Sequence, residues 1–147
     1  MKIIYCSDPL DSDAIDHDFR KAAEISSMFG FSNLKFNFEE LTIFENIRAA
    51  FNSIPFNENK TPALYRGWMM TPTIYEKFYL NLIDRGYQLI NTPSQYRHCH
   101  WLPHSYPKIE KATPKSIWLS NAGDFSTSHI VKKLGVFNGK PVVLKDY

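Results

Sequence analysis

The first 93 residues alternate short apolar segments with longer stretches in which apolar residues recur about every three or four positions. Each longer stretch has the spacing of a helix of about three turns, and Gly30, Pro55 and Gly86 are placed to end these helices. Strands that alternate with such helices indicate βαβ units, so the sequence predicts an α/β fold with a mainly parallel sheet. The predicted strands span residues 2–6, 34–38, 63–65 and 87–90.

Side chains that favour helix ends predict where these helices begin. Asp11, Ser12 or Asp13 is expected to cap the first helix, and the second helix is expected to cover residues 43–54. Thr71 followed by Pro72 predicts the start of the third helix, because Thr is a good N-cap and Pro is favoured at the first helical position.

The remaining residues predict a second unit. Three prolines at 103, 107 and 114 interrupt the chain, and a second unit is expected to begin near Thr113. A strand that closes the sequence lacks a neighbour on one side, so the chain is expected to be the front part of a larger protein. The expected elements are a helix at 94–101, a strand at 115–119, a helix across 125–134 and a final strand at 141–145.

The composition argues against several classes of protein. A net charge of +2 without a basic run does not favour binding to nucleic acid or to an anionic membrane. There is no stretch of about 18 apolar residues, and the first residues turn acidic too early for a signal peptide. Cys6 lies in a predicted buried strand, far along the chain from Cys99, so free thiols and a cytoplasmic location are expected.

Polar residues follow three of the predicted strands, and parallel sheets bind ligands beyond the carboxyl ends of their strands. The Arg66 guanidinium could bind a carboxylate or phosphate there, and Gly67 would let the ligand approach the backbone closely. The alternative for Arg66 is a surface arginine paired with a nearby acid. The residues expected on the substrate side of the sheet are Asp8, Arg66, Gly67, Trp68, Asn91 and Thr92.

A lysine also ends the last predicted strand. Lys145 follows the apolar run at 141–144, and an ammonium group at the end of a buried strand can face a phosphate. The alternative is a lysine that faces solvent near the chain terminus.

Soft metal ligands concentrate at His98, Cys99, His100 and His104. His98 and His100 would diverge on a helix and a second ligand pair is missing, so no metal site is predicted, although a small zinc protein stays an alternative. The aspartates between residues 11 and 18 are explained by the start of a helix. The sequence contains no nucleophile elbow, no dinucleotide fingerprint and no P-loop.

Several short segments, in a fixed order, carry a resemblance to a known family. They are ALYRGWMMTP at 63–72, LINTP at 89–93, YRHCH at 96–100, SYP at 105–107, TPKSIWL at 113–119 and PVVLKDY at 141–147. With these segments the chain resembles ATP-grasp proteins, and specifically the clade named for one arginine and two lysines.

The resemblance implies a pre-ATP-grasp αβ domain at 1–106, followed at 107–147 by the incomplete beginning of an α+β ATP-grasp lobe. Enzymes of this superfamily use ATP and magnesium to activate a carboxylate as an acyl phosphate, which an amine or similar nucleophile then attacks. By resemblance Arg66 is the arginine of the clade, Lys145 is the strand lysine that contacts nucleotide phosphates, and Lys115 is the other lysine. No catalytic residue is assigned.

The implied function is that of the N-terminal part of an ATP-grasp ligase-like protein, with a nucleotide and a small-molecule or peptide carboxylate as ligands. The glycine-rich flap, the adenine hinge and the acidic magnesium ligands of the family are absent from these 147 residues, so the chain alone is expected to be inactive and to bind ATP weakly at most. The alternative is a stand-alone, non-catalytic binding or assembly module that forms homo-oligomers through its terminal strand.

Overall fold

The computed structural model describes residues 1–119, 123 and 125–144. The chain divides into two compact units, Met1–Arg97 and His98–Tyr147. The predicted division after residue 106 refers to the domains of a family and stays a prediction.

A four-stranded parallel sheet forms the first unit, as the alternation of strands and helices predicts. The strand order is β2-β1-β3-β4, so β1 is central, and its Ile4 lies opposite Leu34 on one side and Tyr65 on the other. The strands are β1 (Lys2–Cys6), β2 (Ser32–Phe36), β3 (Thr61–Tyr65) and β4 (Tyr87–Leu89).

Helices cover both faces of this sheet. Ile3 and Tyr5 of β1 pack with Ala23 on one face, whereas Ile4 and Cys6 pack on the other face. This separation follows from the two-residue period of a strand, in which successive side chains point to opposite faces. The helices are α1 (His17–Met28), α2 (Phe38–Thr42), α3 (Ile47–Ala50), α4 (Pro72–Asp84) and α5 (Pro93–His100).

Aromatic rings fill the core on the face that α2, α3 and α4 cover. The Phe36 ring lies 4.6 Å from the Phe78 ring and 6.0 Å from the Phe51 ring, centroid to centroid, and Tyr65 lies 5.0 Å from Phe78. Aromatic pairs at these separations add to the stabilisation that apolar burial provides. The high aromatic content of the sequence is therefore used in part to build this core.

The predicted ends of the helices are confirmed in some places and wrong in others. Thr71 caps α4, its side chain accepting a hydrogen bond from the Ile74 amide, and Pro72 is the first helical residue, as predicted. Gly30 (φ 79°) and Gly86 (φ 84°) follow α1 and α4, also as predicted.

The predicted cap of α1 is wrong, because Asp16 holds that position. The preceding residues form a turn in which the Asp8 amide donates to the Ala14 carbonyl and the Ala14 amide donates to the Asp11 carbonyl. Ser7 also bridges to Ile15 in an antiparallel contact, so the chain is held in an extended loop until residue 16.

The prediction of one helix over residues 43–54 is also wrong, because α2 ends at Thr42 and only the four-residue α3 lies within that range. α2 and α3 are separated at Glu45, which has a φ of 51°, and Asn46 then caps α3. A residue in the left-handed region cannot continue a right-handed helix, so the apolar stripe over residues 43–54 is broken there.

The second unit holds α6 (Leu102–Ile109), α7 (Thr127–Leu134) and two 3₁₀ turns at Glu110–Ala112 and Gly135–Phe137. The helix predicted across 125–134 is confirmed. The strand predicted at 115–119 is wrong, because none of these residues is in a strand. The strand predicted at 141–145 is wrong over its described residues, 141–144, for the same reason. Val143 and Leu144 are 83% and 88% exposed, because an apolar run forms a strand only where a partner strand is available.

Among the described residues, none of the helices has the combination of length and hydrophobicity that crossing a bilayer requires.

Candidate functional site

The carboxyl ends of β1 and β3 form the candidate site. From β1 the chain passes through α1 to β2 on one side, and from β2 it returns through α2 and α3 to β3 on the other side. The two connections leave on opposite faces of the sheet, so the strand order reverses between β1 and β3. In open parallel sheets a crevice opens at such a reversal, beyond the carboxyl ends of the strands.

Arg66 lies at this crevice, directly after β3. Its amide donates to the Ile4 carbonyl at 2.9 Å, which extends the pairing of β3 with β1 by one residue and fixes the backbone. Its side chain is exposed, and its guanidinium makes no hydrogen bond or ion pair with any other described residue. The alternative of an arginine paired with a nearby acid is thus not what the described residues show.

Gly67 is required because there is no room for a side chain. A Cβ built at this position would lie 2.6 Å from Cys6 Sγ and 2.6 Å from the Tyr65 hydroxyl oxygen. The glycine therefore lets the loop after β3 pack directly on Cys6 and Tyr65, and the predicted role of Gly67 in close ligand approach stays a prediction.

Trp68 ties the loop after β3 to the start of α1. Its indole Nε1 donates to Asp16 Oδ2 at 2.9 Å, and its ring meets the Phe19 ring edge-on at 5.3 Å. The other oxygen of the Asp16 carboxylate accepts from the Asp18 amide at 2.9 Å, which caps α1. Both Asp16 oxygens are used, so this buried carboxylate positions the loop that carries Arg66 and is not a free base.

Cys6 and Tyr65 lie beneath Gly67. Burial raises the pKa of the Cys6 thiol to about 11, although the hydrogen bond with the Tyr65 hydroxyl, 3.5 Å away, lowers it in part. Burial, together with the neighbouring Cys6, also raises the pKa of Tyr65, whose hydroxyl donates to the Trp68 carbonyl. At neutral pH both groups are protonated, so the thiol is not a nucleophile.

The other predicted strand-end residues have structural roles. The Asp8 carboxylate pairs with Arg20 at 2.9 Å and accepts from the Leu10 amide. The Asn91 carbonyl accepts from the Tyr75 hydroxyl at 2.9 Å. Thr92 and Gln95 form a reciprocal cap at the start of α5, so these groups are already occupied.

Both predicted lysines belong to the second unit, whereas Arg66 belongs to the first. Lys115 lies in the second unit, where its Nζ donates to the Val136 carbonyl at 3.3 Å. Lys145 lies outside the described residues. Their predicted contact with a triphosphate stays a prediction.

The histidine cluster does not assemble a metal site within the described residues. No group of three or more His, Cys, Asp or Glu side chains is arranged there to hold an ion. His98 and His104 instead face each other edge-on, with 6.4 Å between their ring centroids.

Sequence reasoning missed two features of this edge of the sheet. One is the bond between Asp16 and Trp68, which are 52 positions apart in sequence. The other is a polar recess of about 380 Å³ beside the carboxyl ends of β1 and β2, which includes Ser7 and Asn37. The predicted strand at 34–38 placed Asn37 inside a strand, whereas β2 ends at Phe36, so the strand-end rule could not point to Asn37.

The arrangement at β1 and β3 can bind an anion. It offers an exposed guanidinium on a backbone that the hydrogen bond to Ile4 holds in place. The carboxylates of Asp8 and Asp16 are engaged and the thiol is protonated, so the described residues at this point offer binding groups and no activated nucleophile.

No protein-family model, no curated protein and no solved structure matches the chain.

Proposed function

We propose that the unit Met1–Arg97 binds the anionic group of a small-molecule substrate at the carboxyl ends of β1 and β3, with Arg66 as the principal ligand. The observation that carries this proposal is the exposed Arg66 guanidinium, which has no partner among the described residues and sits at the reversal of strand order. A carboxylate or phosphate would accept two parallel hydrogen bonds from this guanidinium.

We further propose that this unit is the substrate-side domain of an ATP-grasp ligase-like protein, which activates a carboxylate with ATP. The ordered segments quoted above and the parallel α/β architecture support this assignment. In it Arg66 holds the substrate or a phosphate, and Lys145 and Lys115 are the proposed contacts of the nucleotide phosphates. Magnesium and ATP are the proposed cofactors, and binding of Mg-ATP by this chain is expected to be weak because the family's acidic magnesium ligands are absent from its sequence.

Anion binding is tested by titrating the 147-residue chain with inorganic phosphate and with succinate, followed by nuclear magnetic resonance. Arg66→Gln is expected to weaken binding of at least one of these anions by about tenfold, the effect of losing one charge-assisted interaction. Lys60→Gln is the matched control, because Lys60 precedes β3 and its removal takes the same charge from the opposite end of the same strand. Equal affinity in the wild type and in Arg66→Gln would refute the site.

A second candidate function is a non-catalytic assembly module. The exposure of Val143 and Leu144, at 83% and 88%, favours it, because an apolar segment of this kind can gain burial by association. Sedimentation equilibrium distinguishes the two candidates. A dimer that Val143→Lys dissociates supports assembly, whereas a monomer at all concentrations counts against it.

A further inference from the structure

The polar recess beside the carboxyl ends of β1 and β2 lies on the other side of β1 from Arg66. It has a volume of about 380 Å³, which is within the range of cavities that hold small molecules. The turn after β1 contributes Ser7, the end of β2 contributes Asn37, and the segment containing α2 and α3 contributes the rest of the wall. The residues that matter for its chemistry are Asn37, Glu40, Asn46, Arg48 and Asn52.

The recess contains one cationic and one anionic side chain that are not paired with each other. Arg48 and Glu40 both line it, yet no ion pair joins them, and neither side chain has an ion pair or hydrogen bond with any other described residue. A purely anionic ligand would be repelled by Glu40, and a purely cationic ligand would be repelled by Arg48. A ligand that carries both charges satisfies both side chains.

The neutral groups of the recess are also prepared for a ligand. Asn37 and Asn46 use their side-chain oxygens to accept from the amides of Glu40 and Ala49, at 2.9 and 3.2 Å, which caps α2 and α3. Capping turns each amide NH₂ away from the helix it caps, and neither NH₂ donates to another described residue. These groups add hydrogen-bond donors that suit a carboxylate.

Ser7 lines the recess but does not offer its hydroxyl to a ligand. The residue is 2% exposed, and its hydroxyl oxygen is buried out of reach of solvent. The charged and amide side chains of the recess are therefore the groups that a ligand can meet.

We propose that this recess binds a free α-amino acid. The ligand carboxylate meets Arg48 and the amide donors of Asn37 and Asn46, and its ammonium group meets Glu40. The proposal does not depend on the Arg66 site, because Arg66 follows β3 and is not part of this recess.

The test screens the proteinogenic L-amino acids one at a time against the 147-residue chain by saturation-transfer nuclear magnetic resonance. The strongest binder is then measured by calorimetry beside its N-acetyl form and its carboxamide, each of which lacks one charge. Each modified form is expected to bind at least about tenfold more weakly than the free amino acid. Failure of every amino acid to bind below about 10 mM, or equal binding of all three forms, overturns the proposal.

Two charge-removing variants assign the two ends of the ligand. Glu40→Gln is expected to lower the affinity for the free amino acid at least about tenfold, while the affinity for the N-acetyl form changes by no more than about twofold. Arg48→Gln is expected to lower the affinity for the free amino acid to the same extent, while the affinity for the carboxamide changes by no more than about twofold. Glu58→Gln and Lys60→Gln, which lie outside the recess, are the matched controls and should leave binding unchanged. Urea unfolding of each variant confirms that it is folded.

The outcome is separable from that of the Arg66 proposal. Arg66→Gln should leave amino-acid binding within about twofold of the wild type while it weakens phosphate or succinate. If neither Glu40→Gln nor Arg48→Gln changes affinity, the amino acid binds elsewhere and the assignment of this recess is wrong.

Discussion

Replacement of Asp16 by Ala should destabilise the first unit and loosen the loop that carries Arg66. The Asp16 carboxylate makes two interactions, a cap of α1 through the Asp18 amide and a hydrogen bond from Trp68 Nε1, both at 2.9 Å. Loss of an N-cap costs about 1 kcal/mol, and loss of a hydrogen bond to a charged group costs about 1.5–3 kcal/mol. Trp68 is 42% exposed, which places the second value at the lower end. The expected loss for Asp16→Ala is therefore about 2–3 kcal/mol.

Two further variants separate the two interactions. Asp16→Asn keeps the cap through its side-chain oxygen but places an amide NH₂, which cannot accept, opposite Trp68 Nε1, so it should cost about 1.5–2 kcal/mol. Trp68→Phe removes the donor alone. In a double-mutant cycle, Asp16→Ala and Trp68→Phe should be non-additive by about 1 kcal/mol or more, because they remove the same hydrogen bond.

Urea unfolding followed by far-ultraviolet circular dichroism measures these effects. With a typical urea slope of about 2 kcal/mol per molar, Asp16→Ala should lower the midpoint by about 1 M or more. Asp18→Ala is the matched control, because that carboxylate is exposed and should cost under about 0.5 kcal/mol. The reasoning is refuted if Asp16→Ala costs no more than Asp18→Ala, or if the cycle is additive.

Three other changes probe the core beneath the site. Gly67→Ala should destabilise the unit by about 1–3 kcal/mol in the same urea assay, because its Cβ would lie 2.6 Å from Cys6 Sγ; no loss would contradict this. Tyr96→Phe should lower the free energy of unfolding by about 2–3 kcal/mol in the urea assay. The reason is that the buried Tyr96 hydroxyl accepts from the Met70 amide at 2.8 Å and donates to the Met70 carbonyl. A loss under about 0.5 kcal/mol would contradict this expectation. Burial raises the pKa of Cys6 from 9.0 to about 11, so the contribution of this shift to the free energy of unfolding is complete below pH 9 and is lost between pH 9 and pH 11. In Cys6→Ala the free energy of unfolding should therefore fall less steeply across that window than in the wild type. An equal slope in the two proteins would contradict the shift.

Local signals in the sequence predicted much of the first unit. The alternation of strands and helices predicted the parallel sheet, and Thr71 with Pro72 predicted the start of α4, because capping preferences act within a few residues. The start of α1 was missed because Asp11, Ser12 and Asp13 are good caps by type but lie in a loop. Backbone hydrogen bonds hold this loop, and the Asp8 and Asp11 carboxylates add turns by accepting from the Leu10 and Asp13 amides.

The failed strand predictions have a different cause. The apolar run at 141–144 has the composition of a strand, but a strand needs a neighbour, and the described residues provide none. The described part of the second unit is helical instead, with α6 and α7 as its longest elements.

The candidate sites were predictable only in part. Arg66 could be found because the rule that ligands bind beyond the carboxyl ends of parallel strands needs only the end of β3. The partner that fixes its loop, Asp16, and the polar recess with Glu40 and Arg48 could not be found in this way. Asp16 and Trp68 are 52 positions apart, and a single sequence gives no signal of which distant residues meet. The recess lies mostly between residues 37 and 53, and it was missed because Asn37 was predicted inside a strand and residues 43–54 were predicted as one helix.

The central claim is that an anion binds at the carboxyl ends of β1 and β3. The most direct measurement is a ¹H–¹⁵N correlation spectrum of the ¹⁵N-labelled wild-type chain, recorded as inorganic phosphate and then succinate are added at constant ionic strength. With at least one of these two anions, we expect the signals of the Arg66 and Gly67 amides and of the Trp68 indole to change chemical shift together and to reach saturation. The chemical shift of the Lys60 amide is expected to stay constant. Shifts that are absent at Arg66 and Gly67, or that are spread evenly over the surface lysines, would contradict it.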